Sequence, residues 1–264
     1  MDVTLRDQKT DLRDQRDKGM WIEQNPKFFI SAPFGNYIKP KGTIPVTGTF
    51  TLNPRGNRLW SVLSTLRYSF KSNGWTNKLG LPNPGIEKGL HRHFHGGEVL
   101  SIAEIQKGDF RKLVEIIPER TDIELNLSCP NLAKSLPWDS ARVFTQIKNR
   151  KWCIAKLSPL TTPEELEFVI EELGFEQLHF SNTLPTPAGG LSGPTLKPYT
   201  LELIDIVRER WGERVEIIAG GGVRDFGAVC DYLSAGANHV SLGSVCFNPF
   251  KLRKLLKSLE LENV

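Results

Sequence analysis

A chain of 264 residues, 39% hydrophobic and 24% charged, is long enough for one large domain with a substantial core. Its 34 basic and 30 acidic side chains leave a net charge of +4, too small by itself to argue for a nucleic-acid partner, although it suits an anionic ligand such as a phosphate or a carboxylate. There is no run of about 18 apolar residues to span a membrane, the charged N-terminus lacks the apolar core of a secretion signal, and the four cysteines have no close pairing, as expected of free thiols in a reducing, cytoplasmic compartment.

Residues 1–25 are polar and charged and read as a solvated N-terminal extension, with 26–264 as the folded domain. From Phe28 a rhythm begins. Apolar segments recur at Phe28–Ala32, Thr43–Thr47, Val99–Ala103, Ile123–Leu127, Cys153–Leu157, Gln177–Phe180, Val215–Ala219 and His239–Leu242. From the third onward each is followed by a helical pattern: Glu104–Ile117, Trp138–Lys148, Pro163–Leu173, Pro198–Trp211, Asp225–Ala235 and Pro249–Leu259. Thr162 before Pro163, with Glu164 and Glu165 behind it, is an N-terminal signal, and Gly174 is a stop. The stretch from Phe50 to His95, rich in Gly, Pro and Asn, reads as an elaborated connection covering a site. Eight strands alternating with helices predict parallel βα units closed into a (β/α)8 TIM barrel, with an open doubly wound sheet as the alternative.

Barrel ligands bind at the C-terminal ends of the strands, so the residues there matter most. Ile123-Glu-Leu-Asn-Leu-Ser-Cys-Pro-Asn131 alternates like a strand and stops at Pro130, leaving a thiol, Cys129, between two amides, Asn126 and Asn131. A thiol there is either an inert buried group or one able to exchange a proton near neutral pH. Lys156 lies inside an apolar strand, where it is costly to bury unless it snorkels or pairs with a carboxylate. Ser181, Asn182 and Thr183 follow the sixth strand. Glycines cluster at Gly189–Gly193, Gly220–Gly222 and Gly243, the last two after strands seven and eight, where bare backbone and a helix N-terminus commonly take a phosphate. His91, His93 and His95 alternate as if on one face of an extended segment with nothing acidic or thiol-bearing beside them, so no metal is expected.

Taken together, Glu124-Leu-Asn-Leu-Ser-Cys-Pro-Asn131, Asn77-Lys-Leu-Gly-Leu-Pro-Asn83, Lys156-Leu-Ser-Pro159, Ser181-Asn-Thr183 and the glycine clusters resemble, in order and spacing, the dihydroorotate dehydrogenase family, over about residues 28–260. The resemblance implies an FMN-dependent barrel of the class 1 kind, oxidising dihydroorotate to orotate in pyrimidine biosynthesis, working without nucleic acid or membrane, and able to form a homodimer. It implies Cys129 as the catalytic base. It implies Asn77, Asn126, Asn131, Asn182, Thr183 and the backbone of Leu79, Gly80 and Leu81 as holding the substrate. It implies Lys156 as contacting the flavin and stabilising its reduced form, Ala32, Gly35 and Thr47 as lying along the cofactor, and Gly190, Gly221, Gly222, Gly243 and Ser244 as cradling its phosphate. One departure stands out: Gly48 occupies the place where the family usually carries a lysine, with Arg55 and Lys78 as the nearby cations. Two other readings of the same residues are a degenerate flavin-binding barrel without turnover and a flavoenzyme like the tRNA-dihydrouridine synthases. The latter would call for a basic surface and a further helical domain.

Overall fold

The computed structural model describes residues 25–56, 64–78, 80–93, 97–127 and 138–261, the side chains of 92, 93, 260 and 261 excepted. In chain order the strands are β1 (Phe28–Ile30), β2 (Thr43–Phe50), β3 (Arg67–Ser69), β4 (Gly74–Asn77), β5 (Val99–Ile102), β6 (Ile123–Asn126), β7 (Cys153–Leu157), β8 (Gln177–Phe180), β9 (Leu184–Thr186), β10 (Gly189–Ser192), β11 (Glu216–Ala219) and β12 (His239–Leu242). Eight of them close a parallel barrel in the order β1-β12-β11-β8-β7-β6-β5-β2, with β2 paired back to β1. These are the eight apolar segments of the sequence, and the open doubly wound alternative is excluded.

Helices α1 (Ile86–His93), α2 (Asp109–Ile116), α3 (Arg142–Thr145), α4 (Pro163–Glu167), α5 (Lys197–Trp211), α6 (Phe226–Ser234) and α7 (Pro249–Leu261) accompany the strands. The signals around α4 act as expected. Thr162 accepts from the amide of Glu165 while the Glu165 side chain accepts from the amide of Thr162, Pro163 starts the helix, and Gly174 at φ +76° follows its π-helical last turn. Helix α2 starts later than expected, because Gly108 sits at φ +93° just before it and the buried Glu104 accepts the amides of Gly108 and Phe110 instead of entering a helix. The histidine run is also corrected: His91 and His93 belong to helix α1, not to an extended segment, and His95 lies outside the described residues.

Sequence patterning missed one element. Strands β3, β4, β10 and β9 form a second, antiparallel sheet. In it the glycine cluster Gly189–Gly193, of which Gly190 was implied to cradle a phosphate, is mostly the strand β10, paired with β4 and β9. Strands of three or four residues carrying Gly and Pro give no period-2 signal long enough to read.

Alternation along the barrel strands divides their side chains into two sets. Outward-facing Ile30, Leu100, Leu125, Ala155 and Leu178 pack beneath the helices. Phe29, Val46, Val99, Ile154 and Ile218 face inward and fill the lower barrel with Trp152, whose ring meets that of Phe29 edge-on at 5.0 Å. One pleat further along the same strands come Ser101 after Val99 and Lys156 after Ile154, and above them the barrel opens.

Candidate functional site

At the C-terminal ends of the strands lies a cavity of about 350 Å3. Its floor comes from Thr49, Asn126, Lys156 and Ser181, its sides from Asn77, Gly80, Leu81, Asn182, Thr183 and Ala32, and its far end from Gly193, Gly221, Gly222, Gly243 and Ser244. Phe34 and Phe247 add an aromatic wall, their rings edge-on at 4.9 Å, with Trp75 behind Phe247 at 4.6 Å.

Twelve of the residues singled out in the sequence line this one cavity: Ala32, Asn77, Gly80, Leu81, Asn126, Lys156, Asn182, Thr183, Gly221, Gly222, Gly243 and Ser244. Three others do not. A Cβ on Gly35 would stand 2.3 Å from the carbonyl oxygen of Val46, so this glycine lets a short turn press against β2. Thr47 is buried in β2, away from the opening. Gly190 lies in β10, where a Cβ would be 2.3 Å from Thr183 Oγ1, so it makes room for a lining residue and is not one itself. Leu79, Cys129 and Asn131 lie outside the described residues.

Gly48 has a local explanation. Its φ is +122°, and a Cβ there would meet the Ser101 carbonyl at 2.4 Å, so this backbone has no place for a lysine. The buried Asn36 clasps it from the other side, donating to the Gly48 carbonyl and accepting its amide, both at 2.9 Å. Neither Arg55 nor Lys78 lines the cavity. Lys156 is therefore the cation at its floor among the described lining residues.

Lys156 is buried, and its counter-charge is Glu124, one strand away, with Nζ to Oε1 at 3.7 Å. Sequence reasoning gave Glu124 no role, nor did it foresee His179, whose Nδ1 is 2.6 Å from Oε2. Burial alone would raise the Glu124 pKa, but the Lys156 charge, His179 and the Ser101 hydroxyl outweigh it and hold the carboxyl at about 2. Burial lowers the pKa of His179, and Lys156 adds to the effect, against a partial offset from Glu124. At neutral pH the carboxylate is thus ionised and the imidazole neutral. An ionised carboxylate only accepts, so Nδ1 is the donor.

The same logic orients a longer chain of hydrogen bonds. The amide of Thr183 donates to Asn182 Oδ1 at 2.9 Å, and Asn182 Nδ2 donates to Asn126 Oδ1 at 3.1 Å. Asn126 Nδ2 reaches Thr49 Oγ1 at 3.5 Å. Thr49 and Ser101 hydroxyls are 2.9 Å apart, and because Ser101 donates to Glu124 at 2.9 Å, Thr49 must donate to Ser101. Every donor points the same way and the chain ends on the carboxylate. The side-chain amides of Asn126 and Asn182 are thus oriented by a charge beneath the floor of the cavity, while Asn77 donates to the Gly190 carbonyl at 3.3 Å.

Such a site, a barrel mouth with oriented amides, one buried ammonium and a glycine-lined end, has the place and the polar groups of a barrel enzyme's ligand site. The model of the dihydroorotate dehydrogenase family matches residues 42–262. The chain is 31% identical to the dihydroorotate dehydrogenase B (NAD(+)) catalytic subunit of Listeria monocytogenes serotype 4b, covering 74% of each chain. It is 29% identical to the protein of the same name from Endomicrobium trichonymphae, covering 84% of this chain and 82% of the other. The crystal structure of the dihydroorotate dehydrogenase of Eimeria tenella in complex with ferulenol shares the fold, with a TM-score of 0.70 at 21% identity over 88% of this chain and 80% of that one. The chain belongs to the dihydroorotate dehydrogenase family and is an oxidoreductase of that kind. The family generally binds a flavin, and no helix among the described residues is long and apolar enough to cross a membrane.

Proposed function

We propose that this protein oxidises dihydroorotate to orotate with bound FMN, in the cytoplasm and in pyrimidine biosynthesis, with Cys129 as the base. The observation that carries the reading is the meeting, in one cavity, of Asn77, Asn126 and Asn182 with Lys156 and the glycine pair Gly221–Gly222. A dihydropyrimidine presents a planar edge of alternating donors and acceptors, which side-chain amides match. A wrong ring would leave those buried amides unpaired, and that penalty gives specificity.

The residues at the far end fit a phosphorylated flavin. Gly221 and Gly222 have φ of +88° and +77°, and a Cβ on Gly222 would come within 2.7 Å of Pro194 Cα. Only glycine lets these loops meet and leaves bare backbone facing the cavity, as a phosphate requires. Bound FMN would supply the hydride-accepting ring. The protein's own part is to hold the substrate by its amides, to remove a carbon-bound proton with the Cys129 thiolate, and to set the Lys156 ammonium where negative charge develops.

Anaerobic addition of dihydroorotate to the FMN-loaded protein should bleach the flavin absorbance. Cys129→Ala should bind FMN normally and bleach about 100- to 10,000-fold more slowly, the usual worth of a general base. A flavin that stays oxidised in the wild-type protein at saturating dihydroorotate would sink the reading.

A further inference from the structure

Three side chains meet on the Glu124 carboxylate, and they hold it unequally. His179 Nδ1 is 2.6 Å away, Ser101 Oγ is 2.9 Å away, and the Lys156 ammonium stands off at 3.7 Å. A contact pair of ammonium and carboxylate closes to about 2.7–2.9 Å. Neutral donors therefore hold the anion tightly, while the cation is held loosely at the floor of the cavity it lines. Glu124, Lys156 and His179 are all buried, where opposite charges attract far more strongly than in water. A carboxylate short of one donor in such a place would close on the nearest cation and draw it down from the cavity. The imidazole fills that need without adding a charge, because it is neutral and donates through Nδ1.

Resting on the flavin reading above, we propose that His179 is a positioning residue. By satisfying Oε2 of Glu124 it keeps the Lys156 ammonium available to a planar cavity ligand that gains negative charge. His179 acts through Glu124 and Lys156 and does not itself line the cavity.

Sulfite provides a probe that needs no dihydroorotate. It adds to a bound flavin by forming an S–N bond, leaves a negative charge on the ring and bleaches its colour, so its affinity reports positive charge beside the ring. Purified protein would be loaded with FMN, titrated with sulfite, and compared with His179→Leu, His179→Asn, Glu124→Gln and the Leu/Gln double variant. His179→Leu should bind sulfite at least about tenfold more weakly, the worth of one hydrogen bond to a charged group. His179→Asn, which keeps an N–H near the place of Nδ1, should stay within about threefold of wild type. Adding His179→Leu to Glu124→Gln should change nothing further, since the charge that would close on Lys156 is gone. If Leu unsettles the barrel, the equally donorless His179→Met takes its place.

Equal loss in the Leu and Asn variants, or a Leu effect that persists beside Glu124→Gln, would make His179 a space-filler and overturn the proposal. Protein that takes up no FMN would overturn both the proposal and the flavin reading. Protein whose variants respond to sulfite as expected but whose flavin dihydroorotate does not bleach would uphold the role of His179 and overturn the substrate alone.

Discussion

The inside of the barrel has two levels built on the same strands, and they obey opposite rules. In the lower level Phe29, Val46, Val99, Ile154 and Ile218 meet with no polar atom to satisfy. Ser101 and Lys156 one pleat higher, with Glu124 and His179 on the neighbouring strands β6 and β8, are just as buried and carry two charges and an imidazole. The lower level gains stability from apolar area and close packing. The upper level gains little net stability, because desolvating the charges cancels much of their attraction. What it provides is orientation, since the donors from Thr183 to Ser101 line up on one carboxylate. The apolar level separates the charged floor from the bottom of the barrel.

The comparison breaks most sharply at Lys156. Lys156→Met leaves Glu124 buried without its cation, which should cost about 3–5 kcal/mol at pH 7.5. The lone carboxyl then has a raised pKa, so the loss should shrink as the pH falls toward 5 and the group protonates. Urea unfolding at the two pH values measures both. A loss that is the same at pH 5 and pH 7.5 would mean that Glu124 is not the stranded group. Adding Glu124→Gln should recover much of the stability.

The wild-type protein should show the reverse dependence. Glu124 is held at about 2, below its ordinary value of 4.5. A depressed carboxyl pKa stabilises the fold fully above the unfolded value and is lost as pH falls through the folded one. That places the loss between about pH 4.5 and pH 2, with a magnitude of roughly 3 kcal/mol. His179 works in the same direction at higher pH. It is neutral when folded but takes a proton when unfolded, so stability begins to fall as the pH drops below about 6.5. Glu124→Gln should flatten the lower step and leave the upper one.

Most of the barrel was legible in the chain because its strands, several of them as short as those of the second sheet, are apolar runs rich in Val, Ile, Leu and Phe that recur between helical patterns. The cavity was legible in large part because it sits where those strands end, so that Asn126, Lys156, Asn182 and Gly221–Gly222 could be found by counting strands. The charged level was only half visible. Alternation places Glu124 and Asn126 on one face of β6, and Lys156 was already marked as costly to bury unless it snorkels or pairs with a carboxylate. The partner could not be named, because that depends on barrel stagger. Across the β6–β7 pair Glu124 is level with Ile154, and Lys156 is level with Asn126 on one side and His179 on the other. The salt bridge is diagonal, and no spacing along the sequence encodes a diagonal. Thr49 was missed for a related reason. Strand β2 was expected to stop at Thr47, but the backbone passes Gly48 at φ +122°, shifts its register against β5 and continues to Phe50. That irregularity brings Thr49 to the floor.

The smallest expected effect sharpens the comparison from below. Ile154 lies two residues before Lys156 on β7 and is fully buried. Ile154→Val removes one methylene from the dry level and should cost about 1 kcal/mol by lost transfer energy and a small void. The packing around it is apolar and makes no hydrogen bond to the charged level, so the donors above should not move. Unfolding should shift by that amount at every pH, with no change in either acid step and no change in sulfite affinity. The two levels would then be separable, stability below and orientation above. If instead the valine variant weakened sulfite binding as much as His179→Leu, the lower plug would be setting the height of Lys156 directly, and the division of labour between the levels would fail.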